Sequence, residues 1–414
     1  MCDTACVRRP GGMLFAKSSD RPVDEVQVLR WFDRRPPGPD PVRTTYAAVP
    51  DTGAAALVGS QPTWMWGLEH GVNEHGVAVG NEKVWTVDDP RAAPPALLGM
   101  DLVRLGLERG TDATGAVDAM VALLEAHGQG GSGERGRDEP YWSSFLVVDG
   151  GGGWVLETSG RSWAAQPVGD GAAISNRLTL STGWTRSSAD VAPGSDWDHR
   201  RAPEVPTALA DHRLAATRAC VARGTAATPA DAAAALRDHG TGPWGAPGIP
   251  GPDGEPPPPP PPATVGDDWS GVTVCMHVRD YQCTTASLVA DLPGSPGTPP
   301  RLWASLGTPC CGVFLPVAML PGRPPVLPPV LGDPAAWRSF AALSRRVEAP
   351  GDRGAAALAA ARAALAPVEA GAWQEADALW AAGAGPAAWR AAAARCDAAV
   401  RAALAALAAP VASG

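Results

Sequence analysis

Met1-Cys2-Asp3-Thr4-Ala5-Cys6-Val7-Arg8-Arg9-Pro10-Gly11-Gly12-Met13-Leu14-Phe15-Ala16-Lys17-Ser18-Ser19-Asp20-Arg21 opens the chain. Two short runs of apolar and β-prone residues flank a Pro-Gly-Gly break, the pattern of a β-hairpin. Pairing Cys2–Val7 with Met13–Lys17 across Arg9–Gly12 returns Lys17 and Asp20 to the side of Cys2. Residue 2 is small, which permits removal of Met1 and leaves Cys2 with a free α-amine. Thiol and amine then share one residue, titrating near ~8.5 and ~8. An amine of that strength takes the thiol proton at neutral pH, directly or through one water, so nucleophile and base arrive together. A cation at Lys17 favours the thiolate, and Asp20 can hold the α-ammonium. Position alone also allows a plainer reading: an early cysteine, and a surface Lys–Asp pair worth little.

Beyond the hairpin, Tyr46–Val49, Ala55–Gly59 and Gly76–Trp85 read as strands bounded by Gly, Pro and Asp. Met100–His127 has helical apolar spacing with a break at Gly110-Thr111. Phe145–Asp149 and Trp154–Thr158 form a hairpin around Gly150–Gly153, and a strand at Ala172–Ser175 leads into Asn176. Thr228-Pro229-Ala230-Asp231 opens a helix that Gly240 is expected to close. Residues 245–266, with seven consecutive prolines at Pro256–Pro262, read as an extended solvated loop. Strands resume at Val272–Val278, Thr284–Ala290 and Arg301–Leu306. Strands that come as hairpins favour antiparallel sheets with helices outside, an α+β class. From Asp333 the chain turns Ala- and Arg-rich, and Trp389, Cys396, Val400, Leu404 and Leu407 make one helical seam. The expected organisation is one domain over 1–332 and a helical appendage over 333–414, packed on the main domain or on a second subunit.

Composition excludes several functions. The 414 residues carry 34 Lys+Arg against 43 Asp+Glu, a net charge of -9 without a basic block, which argues against nucleic acid. No long apolar run free of charge and proline is seen, so no membrane span is expected. The N-terminus lacks the pattern of a secretory leader, and a cytoplasmic location follows as the expectation. The eight cysteines are scattered, so free thiols rather than a disulfide framework are expected. Cys275-Met276-His277 and Cys283 lack paired C-x-x-C spacing, and Glu69-His70 with Glu74-His75 is not H-E-x-x-H. No metal and no cofactor are therefore expected. Only two lysines, Lys17 and Lys83, and three asparagines, Asn73, Asn81 and Asn176, occur in a chain rich in Ala, Arg, Gly and Pro. In such a background each is a candidate for a specific role.

Pro62-Thr63-Trp64-Met65-Trp66-Gly67-Leu68-Glu69-His70-Gly71-Val72-Asn73-Glu74-His75-Gly76-Val77-Ala78-Val79-Gly80-Asn81-Glu82-Lys83-Val84-Trp85 is a long and specific block. Together with Cys2-Asp3-Thr4 and Phe15-Ala16-Lys17-Ser18-Ser19-Asp20-Arg21 it resembles the secernin and dipeptidase A family of N-terminal-nucleophile hydrolases. Ile174-Ser175-Asn176, Val274-Cys275-Met276-His277, Thr284-Thr285-Ala286-Ser287 and Gly307-Thr308-Pro309 agree with it, so the resemblance runs from Cys2 to about Pro316. It implies a four-layer α-β-β-α sandwich. By position it implies Cys2 as nucleophile and Asp20 as the nearby carboxylate. Lys17 stands where related acylases carry an arginine, keeping the charge but losing the planar fork. Asn81 and Asn176 are implied as donors to a developing oxyanion, although side-chain amides also cap turns. Arg213 is the best match to an arginine expected near the start of the helix after Asn176, with Arg218 as the alternative. Trp64, Trp66, Glu82 and Trp85 are candidate walls of the substrate pocket. Glu69, His70, Glu74 and His75 read as a loop network, and His277 as structural. The implied activity is cleavage of a dipeptide or small amide through a thioester on Cys2, in a possible homo-oligomer. The competing class is a catalytically silent, secernin-like binding or regulatory protein.

Overall fold

The structure, a computed structural model, describes residues 1–239, 272–278, 282–295, 297–349 and 352–408. The proline-rich segment 245–266 and the expected helix stop at Gly240 lie outside the described residues. In chain order the strands begin with β1 (Cys2–Arg9), β2 (Gly12–Pro22), β3 (Gln27–Phe32), β4 (Val42–Arg43), β5 (Ala48–Val49), β6 (Leu57–Pro62), β7 (His70–Asn73) and β8 (Ala78–Val84). Helices α1 (Gly99–Arg109) and α2 (Ala113–His127) follow, then β9 (Trp142–Asp149), β10 (Gly152–Ser159), β11 (Ser162–Pro167), β12 (Gly171–Ile174) and β13 (Arg186–Ser187). After α3 (Ala208–Val221) and α4 (Pro229–Leu236) come β14 (His277–Val278), β15 (Gln282–Pro293), β16 (Arg301–Leu306) and β17 (Leu315–Ala318). The chain closes with α5 (Pro334–Val347), α6 (Asp352–Ala381) and α7 (Pro386–Ala408).

One sheet runs β12-β1-β2-β15-β16-β17, with β14 also paired to β15; the other runs β13-β11-β10-β9-β8-β7-β6-β3. Among the described residues, the strand pairings within them are antiparallel. The sheets stack face to face over a core that includes Cys6, Met13, Phe15, Val58, Val72, Leu146, Val148 and Leu288. Helices α1 and α2 cover the second sheet through Leu102, Leu105, Val117 and Met120, which pack on Val79, Phe145 and Val147. Helix α4, through Ala232, Ala233 and Leu236, covers the first sheet at Leu14, Ala16 and Val289. This is the expected α-β-β-α sandwich, because each sheet buries one face on the other and its second face under helices.

The β1–β2 hairpin forms where the sequence predicts it, in the register Cys2↔Ser19, Thr4↔Lys17 and Arg9↔Gly12. Its tip is Pro10-Gly11, and Gly11 has φ +81°, the residue order of a type II turn. The break at Gly110-Thr111 separates α1 from α2, with Asp112 accepting from the Gly115 N–H at the new N-terminus. Thr228 and Asp231 cap α4 reciprocally. Two expected strands are shorter than predicted: only Ala48–Val49 of 46–49, and only His277–Val278 of 272–278.

The C-terminal helices pack on the main core: Leu358, Ala361, Leu365, Val400 and Leu404 join the same cluster as the inter-sheet residues. Of the predicted seam, Trp389, Val400 and Leu404 are buried, whereas Cys396 is half-exposed. Helix α6, 30 residues long, is by length and composition alone apolar enough to cross a membrane, yet it carries charged residues and a proline, and its Leu358, Ala361 and Leu365 pack in the core. It contains Pro367, and its Glu369 takes a two-pronged pair from Arg237 at 2.9 and 2.5 Å.

Candidate active site

Successive side chains of a strand point to opposite faces. On β1, Cys2, Thr4 and Cys6 therefore face the second sheet, while Asp3, Ala5 and Val7 face helices. The Cys2 thiol points at Glu69, Sγ to Oε2 3.9 Å. Next to it on β2, Lys17 reaches across the inter-sheet gap to Glu82 on β8 at 3.6 Å, and its Nζ donates to the Ser18 carbonyl at 3.1 Å. The gap is narrow there. A Cβ on Gly80 of β8 would lie 2.4 Å from Lys17 Cδ and 3.1 Å from Thr4 Oγ1, so a larger residue there would push the lysine from this path.

On the opposite face, Arg213 of α3 is completely buried and gathers the strand ends. Its Nη1 donates to Asp3 Oδ2 at 2.8 Å and lies 3.8 Å from Asp20 Oδ2; its Nη2 donates to Asn176 Oδ1 at 2.6 Å. The backbone N–H of Cys2 donates to the same Asn176 oxygen at 2.9 Å. Asp20 Oδ1 accepts from Thr284 Oγ1 at 2.7 Å, at a register shift in β15 between Thr284 and Ala286. That irregularity re-aims the hydroxyl toward the carboxylate.

Met1 closes the site. Its ammonium donates to Gln282 Oε1 at 2.6 Å and to the Asp20 carbonyl at 3.2 Å, and its carbonyl accepts from the Asp20 N–H at 2.9 Å. Its side chain sits among Leu209, Val272, Met276 and Val278, with Trp85 alongside. Met1 and Cys2 are 6% and 5% exposed, so with Met1 in place nothing the size of a substrate reaches the thiol.

Burial sets the titration of these groups. It pushes the Cys2 thiol up to about 11; Lys17 and the terminal ammonium pull the other way, while Glu69 and Asp20 add to the rise. Burial also lifts Asp20 to about 6, opposed by the terminal ammonium and Arg213. Glu82 is lifted to about 8 by burial, with Lys17 opposing. Lys17 stays above its ordinary value: burial lowers it, but the charges of Cys2, Glu82 and Glu69 outweigh that.

Cys2, Lys17, Asp20, Asn176 and Arg213 thus lie together, and Asn81 lies against Glu69. Turned with its nitrogen toward Glu69, the Asn81 amide donates to Glu69 O at 2.9 Å and Glu69 Oε2 at 3.1 Å. Two expectations need correction. Asn176 presents its oxygen, not its nitrogen, to Cys2; the nitrogen is committed to the Lys83 carbonyl at 2.8 Å, so the residue is an acceptor here. Glu82 is fully buried behind Lys17 and accepts from Thr4 Oγ1, so it is a partner of the lysine and not a pocket wall.

Of the tryptophans, Trp85 lies against Met1. Trp64 donates to Glu25 Oε2 at 3.0 Å, and Trp66 stacks on Arg104 at 4.0 Å beside the layer under α1. Glu69 and Arg21 were not singled out for catalysis from sequence. Arg21 Nη1 donates to Glu69 Oε1 at 3.1 Å while its Nε and Nη2 hold Glu25, fixing Glu69 beside the thiol. A broad cleft lined by Trp31, Arg34, Glu74, His75 and Gly294 opens at the turn end of the hairpin, where Gly294 N–H donates to Gly11 O. Eight residues of strand, roughly 26 Å, separate it from Cys2.

No family model matches the chain. Among solved structures it is similar to a Caenorhabditis elegans ortholog of N-acylethanolamine-hydrolyzing acid amidase, at 13% identity and TM-score 0.29 over 43% of this chain and 71% of that one. The C2A mutant of conjugated bile acid hydrolase from Clostridium perfringens gives 9% identity and TM-score 0.40 over 74% and 89%. Penicillin V acylase from Agrobacterium tumefaciens gives 13% and 0.42 over 76% and 86%. Overlaps at this level decide neither family nor activity.

Proposed function

We propose that the chain is a cysteine-type N-terminal-nucleophile amidohydrolase, a secernin-like dipeptidase or small-amide hydrolase that works after removal of Met1. The observation that carries this reading is the surroundings of Cys2: its nitrogen on Asn176 Oδ1, its sulfur at Glu69, the Lys17 charge on one side and Asp20 with Arg213 on the other. Loss of Met1 turns that nitrogen into an α-amine with an acceptor already in place. It also frees the Asp20 N–H and the apolar space beside Trp85 for a substrate.

The α-amine takes the Sγ proton and the thiolate attacks the amide carbon. The C–N bond breaks as the leaving nitrogen receives that proton, and a thioester remains on Cys2. The amine next takes a proton from water, hydroxide attacks, and the C–S bond breaks with return of the proton to sulfur. The freed Asp20 N–H and the Asn81 amide, once rotated off Glu69, are the donors we assign to the oxyanion. Asn176 we assign to holding the nucleophile's amine. A dipeptide suits this cavity because it accommodates a residue that carries an α-ammonium, as Met1 does on Gln282 and Asp20.

The silent-protein reading has its own support: with Met1 retained, the thiol is protonated and covered. Intact mass separates the two. A chain lacking Met1 that accumulates a thioester from a dipeptide or small-amide library, and loses this in Cys2→Ala, supports the hydrolase. Equal turnover by Cys2→Ala defeats it.

A further inference from the structure

Away from Cys2, four side chains able to ligate a metal meet in the core: His239, after α4; Cys275, just before β14; His277, the first residue of β14; and Cys310, between β16 and β17. All four are buried, and one ligand atom from each lies within 4.8 Å of the other three. His277 Nε2 is 3.5 Å from Cys275 Sγ and 3.3 Å from Cys310 Sγ. A tetrahedral zinc with Zn–S of about 2.3 Å and Zn–N of about 2.0–2.1 Å requires nitrogen–sulfur edges of about 3.5 Å. The two edges, 3.5 and 3.3 Å, lie close to that value.

A second observation points the same way. His277 Nδ1 is 2.9 Å from Glu348 Oε1, at the end of α5. A ring whose Nδ1–H is donated to a carboxylate turns the Nε2 lone pair toward the two sulfurs, which is the arrangement that orients a metal-bound histidine. The neighbouring cysteine behaves differently: Cys311 Sγ lies 3.3 Å from Thr308 Oγ1 and 3.7 Å from Ser344 Oγ, partners of a structural thiol.

We propose that His239, Cys275, His277 and Cys310 bind one Zn²⁺ as a closed structural site. Binding releases two thiol protons, so two thiolates and two neutral imidazoles leave the occupied site uncharged. Four protein ligands leave no open position, hence no catalytic water. The site ties the end of α4, β14 and the β16–β17 loop together, and Glu348 links it to α5. Met276 stands between two ligands and packs on the opposite side, against Met1. The metal therefore stiffens the wall of the space beside Cys2 without touching substrate. This inference does not depend on the hydrolase reading.

The test uses the full chain, free of affinity tag, dialysed against Zn²⁺ and then metal-free buffer. Elemental analysis and native mass are expected to give about one zinc per chain. Replacement by Co²⁺ is expected to give the thiolate charge-transfer and visible bands of a tetrahedral centre. Cys310→Ser and His277→Gln are expected to lose the metal, while Cys311→Ser keeps it. If the ligand variants fail to fold, chelator-treated wild-type chain titrated with Zn²⁺ gives the same readout. Wild-type chain that is folded by circular dichroism yet binds no Zn²⁺ overturns the proposal. So does a Cys275–Cys310 disulfide in the non-reduced peptide map, or metal loss in Cys311→Ser equal to that in Cys310→Ser.

Discussion

Asn176 Oδ1 accepts two hydrogen bonds at once, from the Cys2 backbone nitrogen at 2.9 Å and from Arg213 Nη2 at 2.6 Å. The oxygen is thereby held toward Cys2 by the buried Arg213 guanidinium. Asn176→Ala is expected to lower kcat on the order of 10²-fold by letting the amine wander. Steady-state kinetics on the trimmed chain reads this; an unchanged kcat contradicts the positioning role.

Chain that keeps Met1 should have an inert thiol. Burial holds Cys2 at about 11, so alkylation by iodoacetamide is expected to be slow at neutral pH and to climb toward that value. Trimmed chain should react faster at pH 7. Alkylation rates against pH, with intact mass to assign the form, check this; a midpoint near 8 in the Met1-bearing chain is the contrary result.

In the proposed hydrolase, Asp20 is expected to govern the acidic side of the activity profile. With Met1 in place, burial raises its carboxyl to about 6, so the carboxylate beside Thr284 and Arg213 is lost as pH falls through that value. The expected kcat/KM profile drops below about 6. Asp20→Asn should lower the rate and abolish that limb together; a limb that survives the substitution belongs to another group.

Arg213 should matter for stability as well as rate. Its removal strands Asp3 and Asp20 as buried carboxyls without their cation. Arg213→Met is expected to cost about 3–5 kcal/mol in urea denaturation. Adding Asp3→Asn should recover part of it in a double-mutant cycle. Additive losses would deny the pairing.

Glu157 on β10 accepts from Thr179 N and Oγ1 and from Leu180 N, yet burial still lifts it from 4.5 to about 7. Between those values the folded chain binds a proton that the unfolded chain has released. Its contribution is therefore full below about 4.5 and declines as pH rises to about 7, by something of order 3 kcal/mol. Glu157→Gln is expected to flatten this part of the stability–pH curve, read by denaturant midpoints; an unchanged slope would rule the group out.

Much of this was legible because short-range patterns control it. The Pro10-Gly11 turn fixes the first hairpin, and the register then dictates that Cys2 and Lys17 share the inter-sheet face. The break at Gly110-Thr111 and the cap at Thr228 likewise need only neighbours. What escaped depends on contacts between distant segments. Glu69 lies within the Pro62–Trp85 block, but no spacing rule says that its oxygen meets Cys2 Sγ between the sheets. The direction of the Asn176 amide is set by Arg213 and Lys83, neither adjacent in sequence. The His239, Cys275, His277 and Cys310 cluster draws on three segments, which a search for paired cysteines passes over. The short strand at β14 reflects a segment whose residues are occupied by side-chain partners rather than by a continuous ladder.

The bare backbone at Gly80 limits how the surroundings of Cys2 could be moved to another scaffold. Transplanting residues 1–22 alone would carry the sulfur and the lysine, but the recipient must also offer an unsubstituted α-carbon on the facing strand. Without that slot the ammonium is forced aside and the transplanted cysteine loses its counter-charge. The setting of Cys2 and Lys17 is thus built by a pair of strands from two sheets, which a transplant has to carry together.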